Sequence, residues 1–531
     1  MRRQFVLIVS LIIILSVVAL FVYPALLWSW IVLGPLIALG FRDLTQERHS
    51  ILRNFPVIGH GRYLLEMIRP ELYQYFVESD TEGVPFDRDK RSLVYQRAKK
   101  VRDTVPFGTK EDVYQVGYEW VNHSLVPLHN ELSELRILIG GPSCTQPYSA
   151  SVFNISAMSY GSLSKNAILA LSTGAKLGNF AHNTGEGGIS SYHLEGGGDL
   201  IWQIGTGYFG CRDDDGNFNP DLFAEKAKLP QVKMIEIKLS QGAKPGHGGI
   251  LPAAKLTAEI AEIRHVPMGK DVLSPPGHSS FSTPLELLAF VDQLRTLSEG
   301  KPIGFKLCVG KRREFLAICK AMVQSNITPD FIVVDGGEGG TGAAPLEFSN
   351  HIGAPLVEGL IFVHNALVGY GIRKQIQVIA SGKVTSGFDM VKRLALGADA
   401  CYSARGMMLA LGCIQALKCN TNHCPVGVAT QDQSLMEGLV PSDKGTRVAN
   451  FHLDTTKSLC EMLGAMGIKN PEDLRPWHIM RRTSPTEIHH YGEIYDFLEE
   501  GDLLKEPLPL RYKRACDAAS ADSFASATPG D

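Results

Sequence analysis

From about residue 150 onward, short β-rich runs alternate with stretches of helical period, and this alternation constrains the fold more than any other feature of the chain. Candidate strands are Phe153–Met158, Phe180–Asn183, Met234–Leu239, Asp271–Leu273, Ile303–Cys308, Phe331–Val334, Ile376–Ala380 and Ala400–Ser403. Amphipathic helical periods follow most of them, over 163–177, 253–263, 284–298, 312–325 and 386–396. Such alternation implies βαβ units and a parallel sheet. Eight runs over roughly 260 residues fit an α/β fold of the closed (β/α)₈ barrel type. A doubly wound open sheet competes, but it carries its glycine fingerprint after one early strand. Here polar, glycine-rich sequence follows nearly every strand, as expected when all the strand ends ring one mouth.

The first 41 residues read differently. Phe5 to Phe41 contains no charged residue, while Arg2 and Arg3 precede it and Arg42, Arg48 and Arg53 follow. A spanning helix needs about 20 apolar residues. This run is about twice that, broken at Tyr23-Pro24, and reads as two helices, 5–22 and 25–41, in a transmembrane hairpin. A signal peptide has a shorter apolar region of about 7–15 residues; one long tilted helix is the other alternative. Positive charge on both flanks suits a hairpin in membrane lipid with both ends, and the barrel, in the cytoplasm.

The remaining divisions are a connecting helical segment (42–130), the barrel (131–475), a C-terminal extension (476–513) and an Ala/Ser-rich tail (514–531) expected to be disordered. A formal net charge of -3 argues against nucleic acid as a partner. The 53 glycines fall in clusters and not at a fixed period, which points to backbone-lined sites. Ten cysteines in 531 residues do not make a disulfide scaffold, and a reducing compartment is the better reading.

Three of those cysteines crowd together in Cys413-Ile-Gln-Ala-Leu-Lys-Cys419-Asn-Thr-Asn-His-Cys424-Pro425. Three thiolates so spaced suit an iron–sulfur cluster, and proline often follows a ligand. Zinc with His423 as fourth ligand competes, although zinc sites usually pair cysteines at shorter spacing. Three buried thiols that merely pack are the third reading. Lys306 falls at the end of the fifth strand, where a buried ammonium is costly unless an anion or an electron-rich ring meets it. The sixth strand leads into Asp335-Gly336-Gly337-Glu338-Gly339-Gly340-Thr341-Gly342, the seventh into Ser381-Gly382-Lys383, and the eighth into Ser403-Ala404-Arg405-Gly406. A phosphate site built from the loops after strands 7 and 8 is a recurring barrel device.

These residues, with Ser156-Ala157-Met158-Ser159-Tyr160-Gly161-Ser162, Asn183-Thr184-Gly185-Glu186-Gly187-Gly188, Gln241-Gly242-Ala243-Lys244-Pro245-Gly246, Ser274-Pro275-Pro276 and Cys424-Pro425-Val426-Gly427-Val428-Ala429-Thr430-Gln431, resemble the FMN-binding part of glutamate synthase large subunits over about 130–470. The resemblance implies FMN at the barrel mouth and a [3Fe–4S] cluster beside it. It places Met158, Ser159, Gln241 and Lys306 around the flavin ring. Gly336, Gly337, Gly382, Lys383, Arg405 and Gly406 fall around the ribityl chain and phosphate, and Cys413, Cys419 and Cys424 on the cluster. The implied chemistry is reductive amination of 2-oxoglutarate. Lys306, Gln241 and His247 are the candidate catalytic residues, with Lys306 facing charge on the reduced flavin or polarising the substrate.

The sequence also departs from that family. No amidotransferase domain matches ahead of the barrel, so glutamine hydrolysis would require an ammonia-supplying partner, or free ammonia would be the amine. No dinucleotide fingerprint is present, so a ferredoxin or a flavin reductase subunit would donate electrons. His247 stands where the family pattern has Glu, which opens the choice of amine and keto acid, as in N-methylglutamate synthase-type relatives. The apolar N-terminus motivates one more alternative, a membrane-tethered flavin/iron–sulfur electron-transfer module.

Overall fold

A computed structural model describes residues 1–102, 104–132 and 135–527. The chain divides into two compact units, Met1–Asp89 and Lys90–Asp531.

The first unit opens with helix α1 (Arg2–Val22). A 3₁₀ turn (Pro24–Ser29) reverses the chain into helix α2 (Trp30–Thr45). Proline suits this reversal because it has no N–H to leave unpaired and its φ is preset. Trp30 Nε1 donates to Ser16 Oγ at 2.8 Å, and the Phe5 and Phe41 rings meet edge to face at 5.8 Å, so the helices run back along each other. The break excludes one long helix. Both arms, Arg2–Val22 and Pro24–Thr45, are long and apolar enough to cross a membrane, and their side chains are almost all exposed. The run continues beyond the predicted end at residue 41. Asp43 ends it in a buried pocket, accepting from Val57 N–H and from His60 Nε2, each at 2.9 Å.

In the second unit eight parallel strands close into a barrel. They are β1 (Phe153–Ile155), β2 (Ala181–Asn183), β3 (Asp199–Ile204), β4 (Val232–Lys238), β5 (Ile303–Leu307), β6 (Phe331–Asp335), β7 (Gln377–Ser381) and β8 (Ala400–Ser403). Strands covered on both faces read as continuous apolar runs, and every residue of β6 is buried. The predicted strand count is met, but its membership needs one correction. Asp271–Leu273 is not in the barrel: only Val272–Leu273 is extended, paired antiparallel with Ile250–Leu251. The third place belongs to Asp199–Ile204, whose lead-in Gly196-Gly197-Gly198 reads as loop and hides it.

An antiparallel ribbon, Arg136–Ile139 with Tyr148–Ser151, plugs the N-terminal end of the barrel. Its Ile139, Tyr148 and Ala150 join one buried apolar cluster with Ala181, Ile201, Met234, Phe331, Val333, Ile379, Ala400 and Tyr402. Residues 90–130 belong to this unit, and Glu119–Val121 pairs with Ile479–Arg482.

The expectation of a disordered tail from 514 is corrected for residues 514–527. A helix spans Leu510–Ala518, with Tyr512, Cys516, Ala518, Ala519 and Ala521 buried. Lys320 Nζ ties it down by donating to the Cys516 carbonyl at 2.6 Å and the Ala519 carbonyl at 2.8 Å. Small side chains let the segment lie flush, which a composition rule misses. Residues 528–531 lie outside the described residues.

The longest helix, Pro441–Met466, packs on Lys165–Gly178. The fit is backbone-close: a Cβ on Gly174 would stand 2.7 Å from the Val448 side chain. In an open helix Gly→Ala stabilises by about 1 kcal/mol. Here Gly174→Ala is expected to destabilise by about 1–3 kcal/mol through overpacking, read as a lower thermal midpoint. A raised midpoint would refute this packing.

Candidate active site

Alternate residues of a strand face inward, so the inward side chains stack in layers. On β4 these are Met234, Glu236 and Lys238: an apolar floor, a polar middle and a charged rim. In the middle layer Glu236 is fully buried and accepts from Asn183 Nδ2 at 3.1 Å and from Gln203 Nε2. Among the described residues its Oε2 has no partner. Burial pushes its carboxyl above the ordinary value, more strongly than Lys306 and the two amides pull it down.

At the rim, Lys238 and Lys306 are register neighbours on β4 and β5. Each has its own carboxylate. Lys306 Nζ lies 3.3 Å from Asp335 Oδ2, at the end of β6, and Lys238 Nζ lies 2.7 Å from Glu186 Oε1, in the loop after β2. All four side chains are 15% exposed or less, so neither pair is a surface bridge. Removing one partner of such a pair strands a charge and costs about 3–5 kcal/mol. Burial pushes Glu186 up, but Lys238, Arg264 and Lys244 together outweigh it and hold it below its ordinary 4.5. Burial, with Lys238 nearby, brings Lys244 down to about 8, and its Nζ donates to the Ala343 carbonyl at 2.8 Å.

The loops meet around this rim. Gly242 N–H donates to Asp335 Oδ2 at 2.8 Å, and a Cβ on Gly242 would fall 1.7 Å from the Gly336 carbonyl oxygen. Only glycine permits that approach. Gly336 N–H donates to the Ser381 carbonyl at 3.0 Å and Gly337 N–H to the Ala354 carbonyl at 2.7 Å. These glycines therefore offer nearness and not free donors. Arg405 Nη2 donates to the Glu338 carbonyl at 2.6 Å, and a Cβ on Gly340 would meet the Arg405 side chain at 2.7 Å. Lys383 adopts a left-handed φ of 48°, unusual for a residue with a side chain. A Cβ on Gly406 would meet Ser403 Oγ at 2.5 Å. On the opposite side, Ser156 Oγ lies 3.2 Å from Ser381 Oγ, which brings the buried segment Met158-Ser159 to the same mouth.

The fold thus gathers Lys306, Gly336, Gly382, Arg405 and the Met158–Ser159 segment. Gln241 sits half-buried beside Gly242, and its side chain makes no hydrogen bond among the described residues. His247 stands apart from the Lys306 pair. Its Nδ1 lies 2.8 Å from the adjoining Gly248 carbonyl, and its ring meets Phe348 edge-on at 5.3 Å. Sequence reasoning missed Asp335, Glu236 and the Lys238–Glu186 pair as site residues. The alternation Glu236, Lys238 was the available signal, since residues two apart in a strand share a face.

Cys413, Cys419 and Cys424 lie within electrostatic reach of one another. Burial pushes the Cys413 thiol up to about 11 and raises Cys419 as well, and neighbouring thiols add to both. Their loop is wound tightly, with Gln415, Leu417 and Asn422 all at left-handed φ. Among the described residues no set of three His, Cys, Asp or Glu side chains is drawn round a single metal ion. Neither the three thiols alone nor the set with His423 meets that description.

Residues 130–469 match the conserved region in glutamate synthase. A glutamate synthase large subunit-like protein YerD of Bacillus subtilis is 37% identical, over 88% of this chain and 94% of its own. An archaeal glutamate synthase (NADPH) of Methanocaldococcus jannaschii is also 37% identical, over 60% of this chain and 60% of its own. Among solved structures, a flavocytochrome b2 variant with sulfite bound overlays 84% of this chain and 90% of its own at 11% identity, with a TM-score of 0.43.

The Glu186–Lys238 pair sets an acid limit. A carboxyl held below its ordinary value contributes stability that is present above about 4.5 and lost as pH falls through the folded value. Thermal midpoints taken from pH 6 down to pH 3 (roughly one to two units either side of a carboxylate's range) are expected to fall steeply below about 4.5 in the wild type. Glu186→Gln is expected to start lower and show a flatter acid limb; an unchanged limb would remove the pair from this role.

Proposed function

The chain belongs to the glutamate synthase family and is an oxidoreductase of that type, and from this premise we propose that it reductively aminates 2-oxoglutarate, or a related keto acid, with FMN and a [3Fe–4S] cluster. The observation that carries the reading is the charged rim, where two lysines stand side by side at the C-terminal ends of neighbouring strands, each balanced by one carboxylate. A dicarboxylate keto acid suits that rim, since its anionic groups would share the ammonium charges.

Met158, Ser159, Gln241 and Lys306 would surround the flavin ring. Gly336, Gly337, Gly382 and Gly406 would give the ribityl and phosphate close approach, and Lys383 and Arg405 would supply the charge that the occupied Gly336 and Gly337 N–H groups do not. Cys413, Cys419 and Cys424 would hold the iron. When bound, FMN supplies a hydride equivalent and the cluster delivers single electrons to it; the protein supplies position and electrostatics. Lys306 orients the substrate and opposes negative charge, and Asp335 holds Lys306 in place. The buried polar middle and the apolar floor exclude water below the rim.

The two N-terminal helices would anchor the protein in a membrane with the barrel in the cytoplasm. A ferredoxin or a reductase subunit is the proposed electron donor, with ammonia free or supplied by a partner. His247 favours a second reading in which another amine is used, because it replaces the family's carboxylate with an imidazole.

Anaerobically reduced protein, given 2-oxoglutarate and ammonia, is expected to reoxidise its flavin with glutamate formed. Reoxidation only by another keto acid–amine pair would select the second reading, and reoxidation only by a quinone would leave an electron-transfer module. Lys306→Met is expected to lower turnover by about 10²-fold or more, and Cys419→Ser to lose iron while keeping flavin. Full turnover in Lys306→Met would remove Lys306 from the chemistry.

A further inference from the structure

Lys255 lies outside every role assigned above. It ends a short 3₁₀ turn, Ala253–Lys255, and is 2% exposed. Its Nζ donates to the Ser162 carbonyl at 2.5 Å and lies 3.4 Å from the Cys419 carbonyl. Among the described residues no carboxylate pairs with it. The charged or titratable groups that face it are the Cys419 and Cys424 thiols and the Arg264 guanidinium. A buried ammonium without a counter-ion is costly, and only the two thiols can provide negative charge here.

Its position is also a junction. Ser162 closes the segment that begins at Met158-Ser159, and Cys419 belongs to the cysteine loop. Other bonds run the same way: Asn422 Nδ2 donates to the Ala254 carbonyl at 3.1 Å, Gln431 Nε2 to the Leu163 carbonyl at 2.8 Å, and Ser164 Oγ to the Gly427 carbonyl at 2.7 Å. Those are neutral bonds, and Lys255 is the cation among them.

We propose that Lys255 is the built-in counter-charge of the iron–sulfur site and the residue that positions the cysteine loop against the β1 loop; this rests on the cluster reading above. A fixed positive charge beside two ligating thiolates favours the cluster state that carries one more electron, and so raises the potential at which the cluster accepts it. The same charge favours assembly, because it is uncompensated until the thiolates form. Lys255 acts through the ligands and touches no reacting atom, so it is a positioning residue.

Full-length wild type, Lys255→Met and Lys255→Arg are purified anaerobically, and iron, acid-labile sulfide and FMN are counted per chain. An EPR-monitored redox titration follows, with the flavin potential as internal control. Wild-type iron content tests the cluster reading separately from Lys255. The expected result is a Lys255→Met cluster that is at least tenfold harder to reduce, about 59 mV for a one-electron couple, with flavin potential unmoved and Lys255→Arg close to wild type. Loss of iron from Lys255→Met alone, restored in Lys255→Arg, carries the same meaning. Should Lys255→Met lose FMN as well, Lys255→Gln, which keeps a donor without the charge, makes the comparison. An unmoved cluster potential at wild-type iron content overturns the proposal. A wild type that holds flavin but no iron overturns the cluster reading and the proposal with it.

Discussion

Hydrogen bonding runs unbroken around the eight strands, each having a neighbour on both sides, so the sheet has no edge and its inward side chains must stack within a closed wall. The stack is graded. Ala181, Ile201, Met234 and Phe331 belong to the floor, Asn183, Gln203 and Glu236 to the middle, and Lys238, Lys306 and Asp335 to the rim. This order lets one wall bear both a stable core and a charged end. The apolar floor contributes burial free energy of about 25 cal/mol per Å², while the charges are confined to the level where loops and solvent reach them.

Charge confined in that way needs a partner at short range. Lys306 finds Asp335 one strand further along, and Lys238 finds Glu186 in the loop after β2. Asp335 has a second duty, accepting from the Gly242 N–H, so the ion pair and the approach of the β4 and β6 loops are one construction. The glycines are then steric requirements. At Gly242 any side chain would collide with the Gly336 carbonyl, and the loop carrying Gln241 would be displaced from the rim.

Much of this was legible in the residues and some was not, for identifiable reasons. Valine- and isoleucine-rich runs such as Phe331–Asp335 announce a strand buried on both faces. Asp199–Ile204 is masked in the sequence by the three glycines that precede it, and Asp271–Leu273 imitates a barrel strand because a short apolar pair before Ser274-Pro275-Pro276 resembles a strand end. The Lys238–Glu186 pair joins residues 52 apart, and nothing in either local sequence names the other. Lys255 is harder still, since its partners are two backbone carbonyls and two thiols from distant loops. The tail misled because alanine and serine signal disorder by composition, yet Lys320 holds the Cys516 and Ala519 carbonyls and Tyr370 meets the Cys516 sulfur.

The antiparallel ribbon at the N-terminal end of the barrel has a consequence of its own. Ile139, Tyr148 and Ala150 fill the floor, and Tyr148 Oη donates to Asp199 Oδ2 at 2.9 Å to fasten the lid of that end to β3. The barrel is thus a packed core closed at this end, with its charged rim at the other. A molecule bound at the rim would rest on that packed floor, with the loops on its other side.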